Sequence, residues 1–263
     1  MKYTLYQIDA FADKLFAGNP AAVVPLKKWL PTETMQLLAM ENNLSETVFF
    51  VPSDAKGVDY EIRWFTPAEE INLCGHATLA SAYVIFEILG SKKKKISFSS
   101  HSGILKVYKE KNAIMMDFPA WEPAPFHEYS SELSGILGVN NILGVYKHRD
   151  LMVEVASEEE VLQAQPDMTA LKNAKQMVIL TAPGSKHDFV SRFFAPSAGV
   201  DEDPVTGSAH SQLIPFWANK LGKKKMTARQ LSKRGGELTV EFLGDRVLMG
   251  GHCVFYMKGK FEL

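Results

Sequence analysis

RWFTP at residues 63–67 and RFFAP at residues 192–196 are two copies of one motif, R-[WF]-F-[TA]-P, and the repeat decides how the chain is read. Each copy is followed by a glycine that opens a run of small residues, GHAT at 75–78 and GSAH at 207–210. The two arginines stand 192 − 63 = 129 residues apart, close to half of the 263-residue chain. That period is too long for a solenoid unit and indicates two related domains. Packed as pseudo-symmetric halves, such domains would turn both polar loops toward one cleft.

Around this repeat the composition is ordinary for a globular protein, with 46% hydrophobic and 22% charged residues. A formal net charge of −1 gives no global field to attract nucleic acid or an anionic membrane. The lysine runs at 92–95 and 223–225 lack interleaved aromatic platforms and read as solvated turns. Two cysteines without a CxxC pattern fit a reducing compartment. The first residues alternate like a strand and carry no apolar signal core, and no apolar run approaches ~18 residues. A cytoplasmic location is therefore expected, with neither nucleic acid nor membrane as partner.

Alternation predicts strands at residues 3–9, 21–24, 47–51 and 60–65, and a helix at 31–42. A meander follows at 96–98, 104–108 and 113–118, turning at Ser102-Gly103 and Lys111-Asn112. Residues 75–89, GHATLASAYVIFEIL, carry one charge, Glu87, so a helix here is buried nearly all round. Residues 205–221 are its expected counterpart, kinked or restarted at Pro215. Prolines 119, 123 and 125 mark a linker over residues 119–128, between halves at 1–118 and 129–263. Further strands are expected near 237–242 and 246–249, and Gly250-Gly251 predicts a bulge or a close backbone approach. The fold class is α+β, each half a curled, mostly antiparallel sheet around a central buried helix.

Two polar loops run into helix starts at Gly75 and Gly207, where free N–H groups and the positive dipole end favour an anion. A small carboxylate-bearing ligand is the expected partner. Glu46 stands at the mouth of the apolar run TVFFV, where a glutamate is ordinarily a loop residue or a helix-terminal salt bridge, though the position also suits a general acid/base. His76 lies in the first turn of a helix, where the dipole favours the neutral ring. Asp203 precedes the rigid Pro204, and Ser208 offers a hydroxyl or a cap. His76, His210 and Asp203 match no zinc signature, so no metal is expected. Cys74 reads as packing, as a nucleophile or as a racemase base. GxxxxGK[ST], GxGxxG and GxSxG are all missing, which argues against ATP, dinucleotide and serine-hydrolase chemistry.

IDAFADKLFAGNPAAVV, NLSETVFF, IRWFTPAEEINLCGHATLASA, RFFAPSAGVDEDPVTGSAH and the closing MGGHCVFYMKG together resemble the phenazine-biosynthesis PhzF-like family over nearly the whole chain. The resemblance implies the diaminopimelate-epimerase fold, with the active site in the cleft between two halves, and a possible homodimer. It implies a cofactor-independent isomerase that shifts a proton on a small acid, with phenazine synthesis itself not following. The acid/base glutamate falls on Glu46, the histidine of CGHAT on His76, the aspartate of EDPVTGS on Asp203 and its serine on Ser208. Asn19, Ser45, Gly75, Ala77 and Gly207 complete the implied substrate-binding set. The fold's epimerases carry a cysteine pair at the motif positions, and here only Cys74 is present. An epimerase or racemase of the same fold, and a silent small-acid binding protein, are the alternative readings.

Overall fold

The computed structural model describes residues 1–111 and 113–263, so the expected turn at Lys111-Asn112 lies partly outside the described residues. It divides into two compact units, one of residues 1–117 and 249–263, the other of residues 118–248. The boundary near residue 118 is where the proline-rich segment begins. That segment is not a free linker, however: β9 (Ala124–Pro125) pairs with β10 (Ile142–Lys147) inside the second unit. The end of the chain also departs from the expected division. β18 (Cys253–Glu262) belongs to the first unit, where it runs antiparallel to β1 (Lys2–Ala10) from Lys2↔Glu262 to Ala10↔Cys253.

In the first unit β1 pairs antiparallel with β2 (Asn19–Pro25), which pairs parallel with β3 (Glu46–Pro52) after α1 (Thr32–Asn42) crosses between them. β4 (Tyr60–Phe65) returns antiparallel to β3, and the two-residue β5 (Glu70–Ile71) folds back on β4. After α2 (Gly75–Tyr83), β6 (Lys95–Ser100) pairs parallel with β4 and leads into the meander of β7 (Gly103–Lys109) and β8 (Ile114–Pro119).

The second unit repeats these steps. β10 and β11 (Leu151–Val155) are antiparallel, and β11 and β12 (Val178–Pro183) are parallel across α4 (Glu158–Gln163) and α5 (Met168–Asn173). β13 (Phe189–Ala195) lies antiparallel to β12 and to the short β14 (Val200–Glu202), and parallel to β15 (Lys225–Gln230). The short α3 (Leu133–Leu137) precedes β10, α6 (Gly207–Leu221) precedes β15, and β16 (Gly236–Phe242) and β17 (Arg246–Gly251) follow. The fold is α+β, and the same order of parallel and antiparallel pairings occurs in both units.

The repeated motif has the same role in each. Arg63 on β4 grips Glu70 on β5 with Nε–Oε1 and Nη2–Oε2 both at 2.6 Å, and its Cζ lies 5.2 Å from the Phe65 ring. Arg192 on β13 grips Glu202 on β14 at 2.7 and 3.1 Å, with Cζ 4.8 Å from Phe194. Phe65 is the strand partner of Glu70, and Phe194 of Glu202. The arginine, the phenylalanine two residues on and the glutamate opposite thus form a bidentate clamp under an aromatic face. The clamp fixes the short strand that leads toward each buried helix.

Every residue of α2 from Gly75 to Ala82 is buried, and the helix packs on β1, β2, β3 and β18. Its continuation over residues 84–88 is a π-helical turn closed by Leu89 N–H to Val84 O at 2.8 Å, with Gly90 at φ +71° ending it. α6 is not broken at Pro215; it runs unbroken as 15 residues. A proline in a helix leaves the carbonyl four residues earlier without its donor. Here that carbonyl, Ser211 O, accepts instead from the backbone N–H of Trp121 at 2.9 Å. A Cβ on Gly250 would stand 2.0 Å from Ile114 O, which is the close approach that the glycine pair predicts.

Candidate active site

Three chain segments bring the first unit's polar residues together. β2 begins at Asn19, β3 begins at Glu46 beside Ala21, and α2 begins at Gly75. Gly18 makes the first of these possible: its φ is +67°, and a Cβ there would lie 2.1 Å from Ala10 O. Gly18→Ala is expected to cost about 2–4 kcal/mol and to pull Asn19 out of place, measured as a lower urea midpoint. A midpoint equal to that of the parent protein would contradict this.

His76 is buried, and its two ring nitrogens face different partners. Nε2 lies 2.9 Å from Glu46 Oε2, and Glu46 keeps 14% of its side-chain exposure. The two atoms are close but not aligned as a hydrogen bond, so charge holds the pair. On the other side Asn19 Nδ2 lies 3.1 Å from Nδ1, with Cys74 Sγ at 3.5 Å. In the neutral ring Nδ1 accepts from this amide; in the imidazolium, Nδ1–H needs the amide oxygen instead.

Burial alone lowers the affinity of His76 for its proton, but Cys74 and Glu46 beside it outweigh burial and hold its pKa well above the ordinary 6.5. Burial also pushes the Cys74 thiol up to about 11, helped by the Glu46 charge. Near neutral pH Cys74 is thus an uncharged thiol. The expectation of a neutral ring, drawn from the helix dipole, is corrected here. A carboxylate at 2.9 Å in a buried site outweighs the partial charge of a helix end. Ser45 precedes Glu46 half-buried, while Gly75 and Ala77 are buried in the first turn of α2.

In the second unit Asp203, Thr206 and Gln230 form one network. Thr206 Oγ1 donates to Asp203 Oδ2, and Gln230 Nε2 donates to Asp203 O at 2.7 Å and Thr206 Oγ1 at 3.1 Å. Gln230 Oε1 accepts from Thr206 N at 2.8 Å. Ser208, half-buried after Gly207, accepts from Arg149 Nη2 at 3.0 Å. The motif gave no notice of Gln230, Gln212 or Arg149. Gln230 left a signal all the same, as a polar residue on the inward phase of the β15 alternation that also places Met226 and Ala228 inside.

Ser157 caps α4 and Asp167 caps α5 with side-chain hydrogen bonds, whereas among the described residues no side chain caps α2 at Cys74 or α6 at Thr206, nor α1 or α3. The Thr206 hydroxyl is committed to Asp203 instead. First-turn N–H groups without a side-chain cap are ready donors for an anion.

Among the described residues Glu46, Cys74 and His76 place one oxygen, one sulfur and one nitrogen donor within 4.8 Å of one another. This mixed set suits a zinc-like cation in ligand type, at the cost of deprotonating a thiol whose pKa is raised to about 11.

A family model described as phenazine biosynthesis-like protein matches residues 8–259. The chain belongs to this PhzC/PhzF family. A Pseudomonas aeruginosa relative named as an uncharacterized isomerase is 46% identical over 264 residues, covering all of both chains. A crystal structure of a PhzF-family protein from Enterococcus faecalis superposes with a TM-score of 0.95 at 45% identity, again over the full length of both. A hydroxyproline epimerase from Agrobacterium vitis shares the fold alone, with a TM-score of 0.64 at 10% identity over 98% of this chain and 92% of its own. An isomerase-type enzyme is the class these relatives define. Among the described residues no helix is long and apolar enough to cross a membrane.

Proposed function

We propose that the protein is a cofactor-independent isomerase that moves a proton between two carbons of a small carboxylate-bearing metabolite, with Glu46 as the acid/base. The Glu46–His76 contact carries this reading. With Oε2 buried against the ring, Oε1 takes the proton from an acidic C–H and returns it elsewhere on the same molecule. His76 keeps the carboxylate in place and balances its charge as the proton comes and goes. The uncapped start of α2 favours an anionic ligand beside Asn19 and Glu46; in the second unit the start of α6, with Asp203 and Ser208, has the same preference. Isomerase-named relatives support the reaction class.

Incubating small amino and hydroxy acids with the enzyme in D2O, followed by mass spectrometry, provides the test. The parent protein should wash deuterium into a substrate, and Glu46→Gln should lower that rate by at least about 10²-fold. Full turnover by Glu46→Gln would remove the proposal. Cys74→Ser separates it from a thiol-based epimerase. A thiol with its pKa raised to about 11 is a poor base near neutrality, so this variant should stay within about tenfold of the parent rate. A loss of about 10³-fold would instead favour the thiol mechanism.

A further inference from the structure

Arg149 is held more firmly than a half-exposed arginine needs to be. The backbone N–H groups of Arg149 and Asp150 donate to Gln212 Oε1 at 3.1 and 2.8 Å, and Gln212 Nε2 donates back to Asp150 O at 3.1 Å. Gln212 is fully buried on α6, so this turn is fastened to the helix whose first turn carries Ser208. The guanidinium is fixed as well. Nε donates to Asp150 Oδ1 at 2.9 Å and Nη2 to Asp150 Oδ2, while Cζ sits 5.0 Å from the Trp121 ring. Trp121 is anchored in turn, by its N–H on Ser211 O.

What these contacts leave over is directional. Nη2 reaches Ser208 Oγ at 3.0 Å, and Ser208, by accepting there, keeps its own O–H to donate outward. Among the described residues no acceptor is bonded to Nη1, and 35% of the Arg149 side chain is exposed. Two fixed donor groups therefore stand side by side at an uncapped helix start. Asp150, with no side-chain exposure, neutralises the guanidinium charge. The site thus offers aligned donors with little net positive charge. A monoanion with two coplanar oxygens fits that better than a phosphate dianion, which would meet the buried Asp150 carboxylate without a spare cation.

We propose that Arg149 Nη1 and the Ser208 hydroxyl form a carboxylate subsite that discriminates carboxylates from phosphates and from neutral amides. This rests on the reading above that the ligand carries a carboxylate. Three probes sharing a phenyl frame test it: benzoate, phenylphosphonate and benzamide, titrated while following the fluorescence of Trp121. Benzoate should quench saturably, with the other two at least about tenfold weaker, and Trp121→Phe should abolish the signal. Arg149→Lys, which loses the fork, should weaken benzoate about tenfold or more. If that variant does not fold, the Arg149→Gln/Asp150→Asn double variant, which leaves no buried charge unpaired, must show the same loss. No saturable response to benzoate, equal binding of the phosphonate, or unchanged affinity in the arginine variants would each overturn the proposal. The two readings fail separately: binding needs no proton transfer, and exchange that survives Glu46→Gln would leave the carboxylate subsite standing.

Discussion

Replacing Glu46 by glutamine is expected to drive the His76 titration downward. In the parent protein burial depresses His76, and the Cys74 and Glu46 neighbours reverse that and hold the pKa well above 6.5. Removing the carboxylate leaves burial opposed by Cys74 alone. The second unit supplies an internal comparison: His210 is buried with a backbone hydrogen bond to Thr206 O but no carboxylate, and its pKa is lowered to about 4. His76 in Glu46→Gln should move in that direction, read from imidazole proton shifts by NMR across pH. A midpoint equal to that of the parent protein would show that Glu46 does not raise the pKa of the ring.

The same contact has a sign in stability. A histidine whose folded-state pKa is raised contributes stability that is fully present below its unfolded value near 6.5 and is lost as pH rises through the folded value. His210 acts the other way: its depressed pKa costs stability as pH falls from about 6.5 toward 4, by about 3 kcal/mol in total. Urea midpoints should therefore fall on the alkaline side because of His76. Glu46→Gln should abolish that alkaline decline.

Arg192→Met is expected to be among the most damaging single changes outside the site, at about 3–5 kcal/mol. The substitution leaves Glu202, with 22% side-chain exposure, without its cation. It also strips the Val161 and Ala164 carbonyls of their bonds to Nη1 at 3.2 and 2.7 Å, and so loosens the end of α4 from β13. Arg63→Met should cost less. Beyond Glu70, the Arg63 guanidinium donates among the described residues only to the exposed Thr32 hydroxyl. Equal losses for the two arginines, by urea denaturation, would refute this ranking.

The duplication was legible because its residues carry backbone and packing constraints that local sequence displays. An arginine, a phenylalanine two positions on and a glycine-led apolar helix read the same in both halves. Glu46, His76, Asp203 and Ser208 each stood out in the sequence, and the structure sets Glu46 and His76 2.9 Å apart. What stayed hidden depended on partners distant in sequence. The continuity of α6 through Pro215 depends on Trp121, 94 positions earlier (215 − 121 = 94), taking the freed carbonyl. The charge of His76 depends on a carboxylate that arrives on β3, and no helix-end rule contains it. Arg149 gave no signal in the sequence because its fixing groups, Gln212 and Trp121, lie far along the chain.

The threading of the first unit has a consequence for synthesis. β1 is made first, yet its antiparallel neighbour β18 is made last, after the whole of residues 118–248. Until then the nascent β1 offers a bare strand edge carrying Tyr6, Ile8 and Ala10, which are buried once the unit is complete. The second unit is contiguous and can close on the ribosome while the first waits. A product stopped before Cys253 would keep that edge open to other chains, and insoluble material rather than a half-active enzyme is what such truncation should yield.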